Sequence, residues 1–199
     1  MTQFDPKIHH RRSIRLKEFD YSLAGAYFIT ICTYNRQPFF GKIVRAGENP
    51  ARMETYQFGQ IAYEQWIRIP ERFAYVELGE FVIMPNHVHG ILIIEEIKPA
   101  VEGNRVEAFR SCNQKGCPCG DPIENTKRKN VGDIVGTYKS MVATLCLKIC
   151  QSKNGFMGKL WQRNYYEHII RDEKNYLKIT RYILENPAKW EMDSLFFKG

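Results

Sequence analysis

The hydrophobic pattern along the chain switches between two periods, and the switches mark out its elements. Residues 27–33 (Tyr-Phe-Ile-Thr-Ile-Cys-Thr) are β-branched and aromatic and predict a first strand, closed by Asn35-Arg36-Gln37-Pro38. A short strand over 39–44 and a loop over 45–53 should follow. From 57 to 69, Phe58, Ile61, Ala62, Trp66 and Ile69 recur at threes and fours, a helical stripe that Pro70 should stop. Residues 75–84 return to strand, and a second buried strand follows across a tight turn at Pro85-Asn86. The longest helix, 131–150, carries Ile134, Val135, Tyr138, Met141, Val142, Leu145 and Ile149 on one broad face. Residues 160–171 have strand-like composition with aromatic and basic side chains interleaved. Asp172 is a good N-cap for a last helix that Pro187 terminates, with Tyr176, Leu177, Thr180, Ile183 and Leu184 as its buried face.

Chemistry enters at the strand after Pro85-Asn86, which holds two of the five histidines. Side chains alternate across a strand, so His87 and His89 share a face and Val88 takes the other. This spacing suits a metal ion, and equally a pair of packed or solvated histidines. Gly90 removes bulk beside the pair and leaves room for another backbone or a ligand. On the last helix, Tyr182 falls roughly 140° from the middle of the apolar face, so that face does not need it. Asn186, one turn further on, lies on the same side and can converge with Tyr182 on one point.

Composition narrows the partners. The 199 residues suit a single domain, 1–199, with 29 Lys and Arg against 22 Asp and Glu. The resulting +7 charge favours a polyanion, nucleic acid first. Arg11, Arg12 and Arg15 lie in a basic arm, residues 1–20, able to contact phosphates or to remain solvated. Lys139, off the apolar stripe of its helix, is a further phosphate candidate, while Trp161 and Arg163 could stack bases and hold phosphates or simply build an edge strand. Residues 95–130 lack periodicity and read as a mobile insertion. No apolar run is long enough to span a membrane and no signal core opens the chain, so a cytosolic protein is expected. In that compartment Cys32, Cys146 and Cys150 read as small buried hydrophobes, and Cys112, Cys117 and Cys119 as loop thiols more than a zinc site.

Taken together, these segments carry a resemblance. His87-Val88-His89 on a strand and Arg181-Tyr182-Ile183-Leu184-Glu185-Asn186-Pro187 on a late helix resemble the single-tyrosine HUH transposases of the IS200/IS605 type. The stretches Arg12-Ser13-Ile14-Arg15-Leu16, Asp20-Tyr21, Gly25-Ala26-Tyr27-Phe28-Ile29-Thr30-Ile31-Cys32-Thr33, Met84-Pro85-Asn86-His87-Val88-His89-Gly90 and Trp161-Gln162-Arg163-Asn164-Tyr165-Tyr166 are closer still to the REP-associated tyrosine transposase branch. The resemblance implies a ferredoxin-like α+β domain, an antiparallel sheet with helices packed on one face. It implies Mg²⁺ or Mn²⁺ held by His87, His89 and Asn186, Tyr182 as nucleophile, and hairpin-bearing single-stranded DNA as substrate. Members of that family occur as monomers and as helix-swapped dimers. Insertion-sequence relatives carry Gln where this chain has the shorter Asn186, so either the helix sits closer or Glu185 completes the site.

Two other readings compete. A non-cleaving module of the same fold would grip hairpin DNA or RNA and keep the basic arm and aromatics; the intact set of His87, His89, Tyr182 and Asn186 argues against it. A small-molecule metal hydrolase would need an enclosed apolar pocket and a carboxylate or third histidine near the metal, and among the histidines His168 alone could fill that role. Tyr176, Tyr165 and Tyr166 are rival nucleophiles.

Overall fold

A computed structural model describes residues 20–45, 51–96 and 128–196. Most of the basic arm, with Arg11, Arg12 and Arg15, lies outside them, as do 97–127 of the insertion and Cys112, Cys117 and Cys119. Four strands form the main sheet in the order β4-β5-β1-β6: β1 (Gly25–Cys32), β4 (Val76–Met84), β5 (His87–Ile94) and β6 (Tyr166–Ile170). All three pairings are antiparallel. A separate two-stranded ribbon pairs β2 (Gly41–Val44) with β3 (Arg52–Thr55). The sequence pattern misses β3, because Arg-Met-Glu-Thr has no apolar run and a solvated ribbon needs none.

Both faces of the sheet are covered, which is why β5 is buried at nearly every position. Val88, Leu92 and Ile94 join Tyr27, Ile29 and Ile31 of β1 in the main core, under α1 (Gln57–Ile67) and α3 (Val131–Ser152). Trp66 of α1 meets Tyr138 of α3 edge-on at 5.2 Å, and the Tyr138 hydroxyl donates to the Ala62 carbonyl. Ile91, Ile170 and Ile183 form a second cluster with Phe28, Tyr176 and Ile179. That cluster seats α4 (Glu173–Glu185) on the opposite face, so the one-face packing expected of the helices holds for α1 and α3 and not for α4.

Local chemistry explains the element ends. Asn130 and Asp133 form a reciprocal capping box at the start of α3, and the Asp172 carboxylate accepts from the Asn175 N–H at the start of α4. Pro70 does not end α1, which stops at Ile67; it lies in the first turn of a four-residue helix, α2 (Ile69–Arg72), where a missing N–H costs nothing. Over 160–171 only Tyr166–Ile170 pairs in the ladder, with Trp161 making an isolated bridge to Thr33. Cys32 and Cys146 are buried free thiols, and burial pushes Cys146 up to about 12.

Gly90 serves the core, not a ligand. It faces Trp66, and a β-carbon there would lie 2.2 Å from the indole Cζ2. Gly90→Ala is expected to overpack this contact and cost about 1–3 kcal/mol, read as a lowered urea midpoint with an unchanged slope. An unchanged midpoint would mean that the indole moves away freely.

Candidate metal and nucleophile site

The four residues singled out on the strand and the last helix do come together. His87 and His89 lie on the α4 side of β5, almost wholly buried, with ring centroids 4.3 Å apart. The Tyr182 hydroxyl is 3.1 Å from His89 Nε2 and donates to Asp193 Oδ2 at 2.9 Å. Phe28 stacks on His89 at 5.2 Å and takes the Tyr182 ring on its edge at 6.2 Å. Asn186, buried at the C-cap of α4, donates from Nδ2 to Asp193 Oδ2 at 2.8 Å.

Hydrogen bonds around the histidines decide what their inner nitrogens can do. The Asn86 amide donates from Nδ2 to the carbonyls of Arg36 (3.2 Å) and Leu195 (2.9 Å), which leaves Oδ1 as an acceptor facing His87 Nδ1 at 2.8 Å. His87 Nδ1 must therefore carry the proton, and Nε2 keeps its lone pair. Among the described residues no group meets that lone pair, nor the buried Asn186 Oδ1. His89 Nδ1 meets the hydroxyl of Thr30, its cross-strand neighbour, at 2.8 Å. Two buried acceptors without donors are costly unless a cation or water answers them.

Electrostatics agrees with a cation. Burial holds His87 well below its ordinary pKa, helped by His89 and Arg36, and brings His89 down to about 4 despite the opposing pull of Asp193. Both rings are neutral at pH 7, the form that binds metal. Burial, then Asp193, pushes the Tyr182 phenol above its ordinary value. The ligand atoms of His87, His89 and Asp193 all lie within 4.8 Å of one another. Two imidazoles, a carboxylate and an amide oxygen make a mixed N/O set that fits a divalent ion such as Mn²⁺.

The depressed histidines also predict a pH effect on stability. Below about pH 6.5 the unfolded chain protonates both imidazoles while the folded chain refuses the protons. Metal-free stability is therefore expected to fall as pH drops from about 6.5 towards 4, by up to about 1.4 kcal/mol per pH unit for each histidine. Urea titrations at stepped pH would read it, and a His87→Gln/His89→Gln double variant should flatten the slope. An equal slope in both proteins would contradict the assignment.

Sequence reasoning missed Asp193. It follows a short 3-10 turn (Trp190–Met192) beyond α4, where no periodicity exists to flag it. Its Oδ1 accepts from the Leu195 N–H at 2.6 Å, which turns Oδ2 into the cluster. The carboxylate beside the histidines is thus Asp193 and not Glu185, whose oxygen is held by Lys189 at 2.6 Å. Tyr176 packs in the cluster under α4, the Tyr165 hydroxyl donates to Glu167, and Tyr166 is an exposed residue of β6. His168 lies with Arg171, Asp172 and Asn175 in a separate cleft. Lys139 is committed to the carbonyls of Gln162 (2.7 Å) and Arg163 (3.2 Å), with its pKa lowered by burial. Trp161 donates to the Lys139 carbonyl and packs on Phe40, whereas Arg163 is exposed.

No protein-family model matches the sequence. The structure of a REP-associated tyrosine transposase bound to a REP hairpin superposes with a TM-score of 0.53, over 93% of this chain and 92% of that one, at 15% identity. The chain therefore has the fold of that class of transposase: an α+β antiparallel sheet carrying helices. An uncharacterised protein of Haemophilus influenzae is 41% identical over 196 residues, 98% of each chain. This chain belongs to the same family as that Haemophilus protein. Among the described residues no helix is long and apolar enough to cross a membrane.

Proposed function

We propose that this protein is a DNA transposase of the tyrosine HUH type, a metal-dependent endonuclease and strand transferase acting on single-stranded, hairpin-forming DNA. The observation that carries the reading is a phenol 3.1 Å from a buried imidazole pair, with an unanswered lone pair on His87 and an unanswered amide oxygen on Asn186.

His87 Nε2, His89 Nε2, Asp193 Oδ2 and Asn186 Oδ1 would hold Mg²⁺ or Mn²⁺. Bound there, the ion supplies Lewis-acid stabilisation of negative charge developing on the scissile phosphate. Tyr182 Oη attacks phosphorus; its bond to phosphorus forms as the bond to the 3′ oxygen breaks, leaving a 5′-phosphotyrosine and a free 3′-hydroxyl. Asp193 Oδ2 already accepts the phenol's hydrogen bond and orients Oη, while solvent at the open side of Tyr182 takes the phenol's proton and protonates the departing 3′ oxygen. The phosphoester is retained, so attack by a 3′-hydroxyl can reverse the step and rejoin strands without an external energy source.

Phe28, stacked on His89 and in edge contact with Tyr182, covers one side of the cluster with apolar surface, which strengthens charge interactions there. Lys178 and Arg181 line the open cleft at Tyr182, beside the paired Lys189 and Glu185, and supply positive charge for the DNA backbone. The test is incubation with a hairpin-bearing single-stranded oligonucleotide and Mn²⁺, then denaturing electrophoresis for a covalent protein-DNA band. Absence of that band across substrates and metals would remove the transferase reading.

A further inference from the structure

A further cleft, of about 490 Å³, opens beside Asn86 and does not include Tyr182. It lies between β2 and the 3-10 turn after α4, and its walls include Arg36, Lys42, Arg45, Tyr56, Trp190 and Phe196. We propose that this cleft binds one unpaired nucleotide of a single-stranded DNA, the phosphate on Arg36 and Arg45 and the base against Tyr56 and Trp190. The inference rests on the DNA reading above and names where the strand adjoining the scissile phosphate goes.

Charge favours an anion in this cleft. Among the described residues, three cations line it against a single carboxylate, Glu191, and Lys42 keeps only a loose surface pairing with Glu54 at 3.6 Å. Both guanidinium groups are already positioned: Arg36 Nη1 donates to the Ser194 carbonyl and Arg45 Nη2 to the Ala188 carbonyl, each at 3.2 Å. One such bond occupies one of five donors and leaves a planar fork for phosphate. Asn35 and Arg36 both hold left-handed backbone, at φ 51° and 55°, a strained pair that sets where the Arg36 side chain leaves the chain.

The aromatics add a place for a base. Tyr56 is 48% exposed. Trp190 is wedged with the His87 ring at 5.8 Å and the edge of Phe196 at 5.2 Å, so it is rigid before any ligand arrives. Cations beside rigid rings are the arrangement that grips single strands, since every base offers a stacking face. An acidic peptide would use the arginines and leave the rings idle; an apolar segment would do the reverse.

The cleft is also continuous with the histidine strand. Pro85 and Asn86 form one wall, and the next residue is His87. On this proposal, a nucleotide neighbouring the scissile phosphate sits at this opening.

The test is fluorescence anisotropy with a short labelled oligo-dT that forms no hairpin. Arg45→Glu should weaken binding about tenfold or more and reduce the slope of log K against log salt by about 0.7 for each phosphate that the protein no longer neutralises. Tyr56→Ala should weaken binding roughly fivefold or more, while Tyr56→Trp restores it. Thermal midpoints within a few degrees of the parent protein would establish that the variants fold, and Arg45→Lys should recover part of the affinity in any case. Parental binding by both folded variants overturns the inference, and tighter binding of oligo-U than of oligo-dT overturns its assignment to DNA. If the parent forms the covalent adduct but oligo-dT binding ignores both residues, the cleft alone is wrong. If oligo-dT binding depends on both but no adduct forms, the transferase reading fails and the cleft stands.

Discussion

Tyr182→Phe is expected to abolish the covalent DNA adduct and lower strand cleavage by a factor on the order of 10⁴ or more, the scale seen when a nucleophile is removed outright. The substitution deletes one oxygen and little else. The ring keeps its edge contact with Phe28, and Asp193 Oδ2 keeps the Asn186 amide as a donor. Stability should therefore change by no more than about 1 kcal/mol, and Mn²⁺ affinity should stay within a few fold. That separation distinguishes a missing nucleophile from a damaged site. An adduct that persists in Tyr182→Phe would transfer the role to another tyrosine.

His87→Ala is expected to raise the Kd for Mn²⁺ by about a hundredfold or more, measured by calorimetry, with adduct yield falling alongside. Changes around a ligand, without removing it, already cost roughly ten- to a hundredfold. Hairpin DNA binding should survive, since the imidazole is buried and holds no phosphate. Asp193→Asn separates the carboxylate's contribution: it preserves shape, removes the charge, and should weaken Mn²⁺ by about tenfold. Equal metal affinity in parent and His87→Ala proteins would mean that the unanswered lone pair is met by water, and the metal role of the pair would fall.

Much of this site is legible because it obeys short-range rules. Strand parity alone puts His87 and His89 on one face, and the Asp172 cap sets the phase of α4. The same helical count that moves Tyr182 off the buried stripe also assigns Leu177 and Leu184 to that stripe, yet they are 59% and 62% exposed. The helix rests on a narrower line, Tyr176-Ile179-Ile183, because β4 leaves space at Gly79, where a β-carbon would meet the Tyr176 hydroxyl at 3.0 Å. Periodicity identifies an apolar side; the shape of the partner surface chooses which rows touch it.

Residue types and spacing alone determine that this chain has an imidazole pair on a buried strand and a tyrosine and an asparagine one turn apart on a late helix, in an order of strands and helices that agrees with the antiparallel α+β frame the family resemblance implies. Tertiary structure decides the rest. It commits Lys139 to backbone carbonyls, assigns Gly90 to Trp66, and turns Asp193 into the cluster from an irregular segment. These contacts join residues far apart in the chain through side-chain geometry, and no local period encodes which of many exposed-looking polar groups will find a buried partner.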